Sequence, residues 1–214
     1  MTFTRAIGLS CGKIIELIVR ALALSRIHPN VLTFLGLLIN IVAAFLLAAG
    51  HFQAAALVVI GAGVFDMVDG RVARETNRVT RFGGFFDSVL DRYSDLALLM
   101  GLLVYYAAIN RFGYIVLTAI VMTGSVMVSY TRARAENTIP KCKVGFLERP
   151  ERVVLLIIGA LFDRMAPVLW VLAILTNLTV IHRMIYTWQE TKQLEDAQRG
   201  KGLNLRQRTS TLPE

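Results

Sequence analysis

The chain has 214 residues, of which 55% are hydrophobic, with a mean hydropathy of +0.57 and a formal net charge of +8. This hydrophobicity excludes an ordinary soluble domain of this size and predicts a one-domain integral membrane protein. The two cysteines, Cys11 and Cys142, are too far apart in sequence for a CxxC metal knuckle and too few for a disulfide framework. The N-terminus lacks the basic, apolar and small-residue pattern of a cleaved signal peptide, so we expect no processing.

The first 28 residues are predicted to form a juxtamembrane segment rather than a span. Within residues 4–27, apolar side chains such as Ile14 and Leu17 alternate at helical spacing with charged ones such as Lys13 and Arg20. That pattern is typical of an amphipathic helix lying in the membrane interface.

Six apolar runs follow, and we predict that each is a transmembrane helix. Most reach the roughly 20 residues needed to cross the hydrocarbon. The fifth is short, and we expect it to borrow a turn from residues upstream of Arg149. The runs are 31–50, 54–74, 83–108, 114–136, 149–163 and 167–188. The predicted fold is therefore all-α, a bundle of six transmembrane helices over 29–188 within a membrane domain over 1–188.

Residues 189–214 are polar and contain Gly200, Gly202 and Pro213. We predict a cytosolic tail that is at least partly disordered.

Basic residues are distributed very unevenly along the chain. Twenty of the 23 lie in the N-terminal segment, in the connections after the second and fourth runs, and at the C-terminal end. By the positive-inside rule, we expect both termini and these connections in the cytosol of a multi-pass protein of the plasma (inner) membrane. Anionic lipid headgroups suffice to explain the net charge, so we expect no nucleic-acid partner.

Five aspartates fall inside the second and third runs, although an ionised side chain in mid-bilayer costs about 2.5–3.5 kcal/mol. Asp66 and Asp69 are three residues apart, and Asp87 and Asp91 are four apart, so each pair lies on one helix face. Because the connection between the two runs is short, we expect antiparallel neighbours whose four carboxylates converge near the cytosolic surface. Asp95 follows one turn later.

Four converging carboxylates indicate a metal site. Hard oxygen ligands in this number suit Mg²⁺ or Mn²⁺ and could hold two ions. The alternative is ion pairing with nearby arginines, which we consider weaker because pairing alone would not need four carboxylates on two helix faces. Those arginines are Arg71, Arg74, Arg78, Arg81 and Arg92.

The same segment reads D-M-V-D-G-R-V-A-R, then eight residues, then G-G-F-F-D-S-V-L-D. It resembles the signature of the CDP-alcohol phosphotransferases, D-x2-D-G-x2-A-R-x8-G-x3-D-x3-D, at every fixed position. The fixed positions are Asp66, Asp69, Gly70, Ala73, Arg74, Gly83, Asp87 and Asp91. The resemblance implies a transferase of phospholipid biosynthesis, in which an acceptor hydroxyl attacks the β-phosphorus of CDP-diacylglycerol and CMP leaves. It also implies a homodimer.

The resemblance assigns roles within the signature. It implies that Asp66, Asp69 and Asp87 hold two metal ions, with Asp91 as a partial ligand and the general base. Arg74 would pair with the nucleotide phosphates. Small residues would leave room for the cytidine, namely Gly70, Ala73 and Gly83. Asp95 lies outside the signature, and we interpret it as a group that pairs helices or supports the ligands.

A second, basic cluster bears on the acceptor. Arg132 and Arg152 lie at predicted helix ends beside the expected cavity, and Arg183 follows an apolar run. Ordinary membrane anchoring explains some of the neighbouring basic residues. These three, however, favour an acceptor that carries phosphate, and they disfavour choline or ethanolamine.

Within the family, two segments resemble the phosphatidylinositol-phosphate synthases. These are S-Y-T-R-A-R-A-E at 129–136 and E-R-P-E-R at 148–152. That branch joins CDP-diacylglycerol to inositol phosphate, and its phosphate-binding residues would fall on Arg132, Arg152 and Arg183. Lysine is common at the first position, so Arg132 is a departure that keeps the charge but changes its geometry.

The same residues are compatible with other functions. A phosphatidylglycerophosphate synthase also takes a phosphorylated acceptor, although the G-K-x-K-T segment often found there is missing. The donor lipid could be diacyl or an archaeal-type ether. A divalent-cation transporter would also place acids in spans, but the acids gather at one depth and no inverted repeat is visible. A structural protein with a degenerate site is disfavoured by the intact signature.

Overall fold

The computed structural model describes the chain at residues 29–75 and 79–209, with side chains described except at 67–73, 75 and 197–209. Within these ranges six helices and no strands are present, which confirms the all-α fold. They are α1 Pro29–Ala48, α2 Phe52–Glu75, α3 Arg81–Ala108, α4 Phe112–Ala135, α5 Arg149–Leu161 and α6 Met165–Thr209. The predicted interfacial helix falls outside the described residues.

Each apolar run forms one helix, with bounds close to those predicted except at the end of α6. Three tight turns separate α1 from α2, α3 from α4 and α5 from α6. Each contains a residue with positive φ, namely Gly50 at +80°, Asn110 at +55° and Asp163 at +53°. Glycine, asparagine and aspartate tolerate this left-handed region best, so these turns are encoded locally.

The start of α5 differs from the prediction. The helix begins at Arg149 and takes no turn from upstream, because Pro150 occupies its first turn and the Glu148 backbone N–H donates to Glu151 Oε2 at 2.9 Å. Proline is suited to the first turn of a helix, and the glutamate side chain satisfies an otherwise unpaired donor. At 1.5 Å per residue, α5 is about 20 Å long, shorter than a hydrocarbon core of about 30 Å.

The end of α6 also differs from the prediction. The helix continues through Thr209, where a partly disordered tail was expected. Between Gln189 and Arg199 the sequence contains no glycine or proline and is rich in strong helix formers. The Lys192 ammonium lies 5.6 Å from the ring centroid of Trp188, one turn earlier. Polarity alone therefore did not end the helix.

Three segments among the described residues are long and apolar enough to cross a membrane: α1, α4, and Met165–Asp196 of α6. A shorter apolar stretch covers Phe52–Asp66 of α2. Many large apolar side chains on the outer surface are exposed, including Phe45 and Trp170. Such a surface is expected of a protein whose solvent is lipid.

The helices pack in a ring in the order α1, α2, α5, α6, α4, α3, and α3 returns to α1. We expected α2 and α3 to be direct neighbours, but the pair is absent from the main helix contacts within the described ranges. The reason is that α1 lies between them. A Cβ atom at Gly101 of α3 would overlap the carbonyl oxygen of Ala44, so these two backbones touch.

The apolar core lies at one end of the ring, beside the three tight turns. All six helices contribute to it, so the ring is closed there. Representative members are Leu47, Ala55, Leu102, Val121, Leu156 and Leu169. The other end carries the acids and the basic cluster.

Candidate active site

An arginine from α5 lies among the predicted metal ligands. Arg149 Nη2 is 3.0 Å from Asp66 Oδ2, and its Nη1 is 2.9 Å from Asp91 Oδ1. Its Nε is 3.5 Å from Asp95 Oδ1, an ion-pair distance without hydrogen-bond geometry. The acids of α2 and α3 therefore converge, as predicted, but they do so around a guanidinium group.

Asp95 is also paired with a second arginine. Its Oδ2 accepts a 2.6 Å hydrogen bond from Arg152 Nη2, and both side chains are buried. This agrees with the interpretation of Asp95 as a helix-pairing group, since it joins α3 to α5. Arg152 Nη1 and Ser125 Oγ have no hydrogen-bond partner among the described residues, and both residues line a cavity of about 10 Å³.

Of the arginines first considered as partners of the acids, Arg92 is the one that the described ion pairs include. Among the described ion pairs, Arg92 Nη1 is 3.9 Å from Asp91 Oδ2, and Arg92 Nη1 also donates to the Ser88 carbonyl oxygen. The close partner of the acids is Arg149 instead. The E-R-P-E-R segment could have predicted this contact, because Arg149 and Arg152 are three residues apart and so lie on one helix face.

The donor set suits a hard divalent cation. Asp66 and Asp91, from different helices, already meet at one cationic group, and Asp87 lies one turn before Asp91. No group of three His, Cys, Asp or Glu side chains is arranged to hold a metal ion within the part of the chain that is described. Asp69 belongs to α2, and its side chain falls outside that part, so a complete ligand set needs it.

The residues expected to contact the nucleotide are described only in part. Gly70 and Ala73 belong to α2 at positions without described side chains, and Arg74 is exposed in its last turn. Gly83 lies in the first turn of α3, where its N–H donates to Thr80 Oγ1 at 2.9 Å. We did not anticipate Gly36 of α1, where a Cβ would lie 3.1 Å from an Asp66 carboxylate oxygen.

Two of the three predicted acceptor arginines meet at one oxygen. Glu148 Oε1 lies 3.3 Å from Arg132 Nη1 of α4 and 3.4 Å from Arg183 Nη2 of α6. Arg132 also pairs with Glu136 at 3.2 Å. Two guanidinium groups around one carboxylate oxygen form a position suited to an anion.

Arg183 forms hydrogen bonds mainly to backbone carbonyl oxygens. Its Nε donates to the Val144 carbonyl oxygen at 2.8 Å, and its Nη1 donates to the carbonyl oxygen of Val128. Only its Nη2 faces Glu148. Arg152, the third predicted acceptor residue, points to Asp95 and does not reach this oxygen in the described ion pairs.

The loop between α4 and α5 is held against α6. The backbone N–H groups of Phe146 and Leu147 both donate to Thr179 Oγ1 at 3.2 Å. Gly145 has φ of +140°, and a Cβ there would lie 2.6 Å from Thr179 Cγ2. These contacts fix where Glu148 and Arg149 enter the site.

Comparison with known proteins identifies relatives along most of the chain. The archaetidylinositol phosphate synthase of Pyrococcus horikoshii is 37% identical over 183 residues, which cover 85% of this chain and 93% of that protein. The phosphatidylinositol phosphate synthase of Mycobacteroides abscessus is 35% identical over 186 residues, covering 81% and 83% respectively.

Solved structures agree. The phosphatidylinositol phosphate synthase of Mycobacterium tuberculosis with CDP-DAG bound has a TM-score of 0.76 and 33% identity, covering 82% of this chain and 94% of that one. The same enzyme in complex with manganese and citrate has a TM-score of 0.75, again at 33% identity, covering 81% and 88%. The family model of CDP-alcohol phosphatidyltransferase matches residues 26–189. The chain therefore belongs to the CDP-alcohol phosphatidyltransferase family.

Proposed function

We propose that this chain transfers the phosphatidyl-type group of a CDP-linked lipid to inositol phosphate and releases CMP. The observation that carries the acceptor assignment is the meeting of Arg132 and Arg183 at one Glu148 oxygen, beside the carboxylates. A phosphate group offers the same kind of oxygen to both guanidinium groups. The synthases named above, which make inositol phosphate lipids, support this acceptor.

The metal site of the proposal consists of Asp66, Asp69, Asp87 and Asp91, holding two Mg²⁺ or Mn²⁺ ions. Bound divalent ions would neutralise the pyrophosphate and stabilise the attacking and leaving oxygens. Support comes from the hard oxygen donors, from the convergence of Asp66 and Asp91, and from the related enzyme that was crystallised with manganese.

In the reaction, Asp91 accepts the proton of the acceptor hydroxyl. The hydroxyl oxygen forms a bond to the β-phosphorus, and the bond from that phosphorus to the CMP oxygen breaks. Little covalent help is needed, because positioning and charge neutralisation dominate this type of transfer. Arg74 would bind the nucleotide phosphates, and small residues would admit the cytidine, namely Gly70, Ala73 and Gly83.

The acceptor phosphate would take the place of the Glu148 oxygen between Arg132 and Arg183. Glu148 can yield that place because 46% of its side-chain surface is exposed. Arg152 remains in the proposal as a source of positive charge, since its Nη1 has no hydrogen-bond partner in the described part of the chain.

Two alternatives stay within the family. Glycerol 3-phosphate also carries a phosphate, so the arginine pair alone does not exclude a phosphatidylglycerophosphate synthase. The donor lipid could be CDP-diacylglycerol or its archaeal ether counterpart, since the named relatives include both archaetidyl and phosphatidyl enzymes. Family membership disfavours the cation transporter.

We also propose the membrane arrangement predicted from the basic residues. All six helices would belong to one multi-pass domain of the plasma (inner) membrane, with the site and both termini in the cytosol. The homodimer implied by the family resemblance is part of the proposal. Chemical cross-linking in native membranes tests it, because a monomer would give no dimer band.

Measuring CMP release with different donors and acceptors tests the proposed function. Purified full-length protein is incubated with Mg²⁺, with either CDP-diacylglycerol or CDP-archaeol, and with inositol 1-phosphate, glycerol 3-phosphate or free inositol. We expect CMP release with inositol 1-phosphate, less with glycerol 3-phosphate, and none with free inositol, which lacks the phosphate. Absence of CMP with every donor and acceptor would overturn the proposal.

A further inference from the structure

Arg149 contacts two carboxylates of the proposed metal site. It takes one oxygen of Asp66 at 3.0 Å and one of Asp91 at 2.9 Å, using a different nitrogen for each. Both acids belong to the proposed metal site, and this inference rests on that site. A metal ion bound by the same two carboxylates would lie close to the guanidinium group, and the two positive charges would repel each other.

Arg149 can leave these acids without undocking α5. Its side chain is 25% exposed, whereas that of Arg152 is 4% exposed. Arg152, on the same helix, keeps α5 attached to α3 through its 2.6 Å bond to Asp95. The backbone at Arg149 is fixed by the capped start of α5, so only its side chain has to move.

We propose that Arg149 is an internal cation that competes with divalent metal for Asp66 and Asp91. It offsets the repulsion between the carboxylates and keeps the two helices in register across the site. A doubly charged ion attracts the carboxylates more strongly than one guanidinium group does, so metal binding displaces the arginine side chain. The affinity for metal is therefore lower than the acids alone would give.

Manganese binding tests this proposal directly. Full-length protein in detergent is titrated with Mn²⁺ by isothermal calorimetry, without lipid substrate. We expect Arg149→Gln to lower the Kd for Mn²⁺ by about fivefold or more, the range of an ordinary coupling between two ligands. Arg149→Lys keeps the charge but cannot bridge both acids, so we expect a Kd between those of Arg149→Gln and the wild type.

Arg92→Gln is the matched control. It also removes a positive charge close to Asp91, but Arg92 is 3.9 Å away, and Asp91 is its one acidic partner among the described ion pairs. We expect a change in Kd of less than about twofold, as for a peripheral, half-exposed ion pair. Size-exclusion chromatography checks that each variant is folded. If Arg149→Gln does not fold, the Kd of Arg149→Lys for Mn²⁺ tests the proposal in its place.

Three results would overturn the inference, and the first two leave the proposed function standing. If the wild type binds Mn²⁺ and releases CMP while the Arg149 variants bind Mn²⁺ equally or more weakly, competition is wrong and the function stands. If Arg92→Gln tightens binding as much as Arg149→Gln, the effect is only one of net charge. If the wild type binds no Mn²⁺ at all, the proposed metal site itself is wrong, and this inference with it.

Discussion

Asp95 and Arg152 form a buried ion pair in which each charge depends on the other. Replacing Asp95 with asparagine leaves the Arg152 guanidinium group buried without a counter-charge, and also removes a partner of Arg149 Nε. Breaking such a pair from one side typically costs about 3–5 kcal/mol. We expect Asp95→Asn to lower the thermal unfolding midpoint in detergent strongly.

Asp163→Asn is the control for that prediction. It makes the same chemical change at an exposed turn, where asparagine accepts the left-handed backbone as well as aspartate does. Its midpoint should stay at the wild-type value. A double change, Asp95→Leu with Arg152→Met, should be less harmful than Asp95→Asn, because no charge is then left buried. A wild-type midpoint for Asp95→Asn would show that the pair contributes little.

Asp91 is predicted to act as the base of the transfer. Asp91→Asn retains the size and one oxygen of the side chain but cannot accept a proton, so we expect CMP release to fall by about 10²–10⁴-fold. Manganese and nucleotide binding, measured by calorimetry, should persist. Full CMP release from Asp91→Asn would remove the assignment, and Asp163→Asn should release CMP at the wild-type rate.

At the scale of elements, the loop before α5 depends on one hydroxyl group. Thr179 Oγ1 accepts hydrogen bonds from two loop N–H groups, and valine has the same shape without the oxygen. We expect Thr179→Val to cost about 1–3 kcal/mol, the usual penalty for unpaired buried groups. CMP release should also fall, since the same loop holds the acceptor residue Arg183, whose Nε donates to the Val144 carbonyl oxygen.

Thr123→Val provides the comparison. Thr123 is exposed, and its one hydrogen bond to described residues is from its hydroxyl group to the Ala119 carbonyl oxygen of its own helix. Thermal unfolding and CMP release should both stay near wild type. If the two variants behave alike, the loop is held by other contacts.

The helices themselves were largely readable from the sequence, because an apolar run long enough to span the bilayer has few alternatives to a helix. The signature located Asp66 and Asp91, since the helical period fixes the spacing of acids on one face. The placement of Arg149 could not be read in this way. It depends on where Glu148 caps α5 and on how Thr179 holds the preceding loop, and both are contacts between distant parts of the chain.

For the whole molecule, the contact between α1 and α3 completes the ring of six helices. A Cβ at Gly101 would overlap the backbone of Ala44, so Gly101→Ala must push the two helices apart or distort them. Overpacking of this kind typically costs about 1–3 kcal/mol. We expect a lower unfolding midpoint in detergent and a loss of CMP release, because α1 also borders Asp66 through Gly36.

Gly113→Ala is the matched change for Gly101→Ala. Nothing lies within 4 Å of a Cβ at Gly113, which is in the first turn of α4. The variant should match the wild type in both measurements. An unchanged midpoint for Gly101→Ala would mean that the ring tolerates a wider spacing of α1 and α3.

The ring order explains why neighbours in sequence were not neighbours in space. Helices α2 and α3 follow each other, yet α1 packs against both on one side, and α5 reaches across to both through Arg149 and Arg152. Small residues such as Gly101 decide which helix packs closely against α3. The sequence does not show that role, because it depends on the contact with α1 in the folded chain.

This order also has a consequence for the chain as it is synthesised. Helix α5 is synthesised only after α4 and the loop that follows it. Helices α2 and α3 can already pack against α1 before that. The acids are therefore synthesised before the arginines of α5 that pair with them. A nascent chain that stops before Arg149 carries Asp66, Asp91 and Asp95 without the guanidinium groups that join them to α5 in the complete fold.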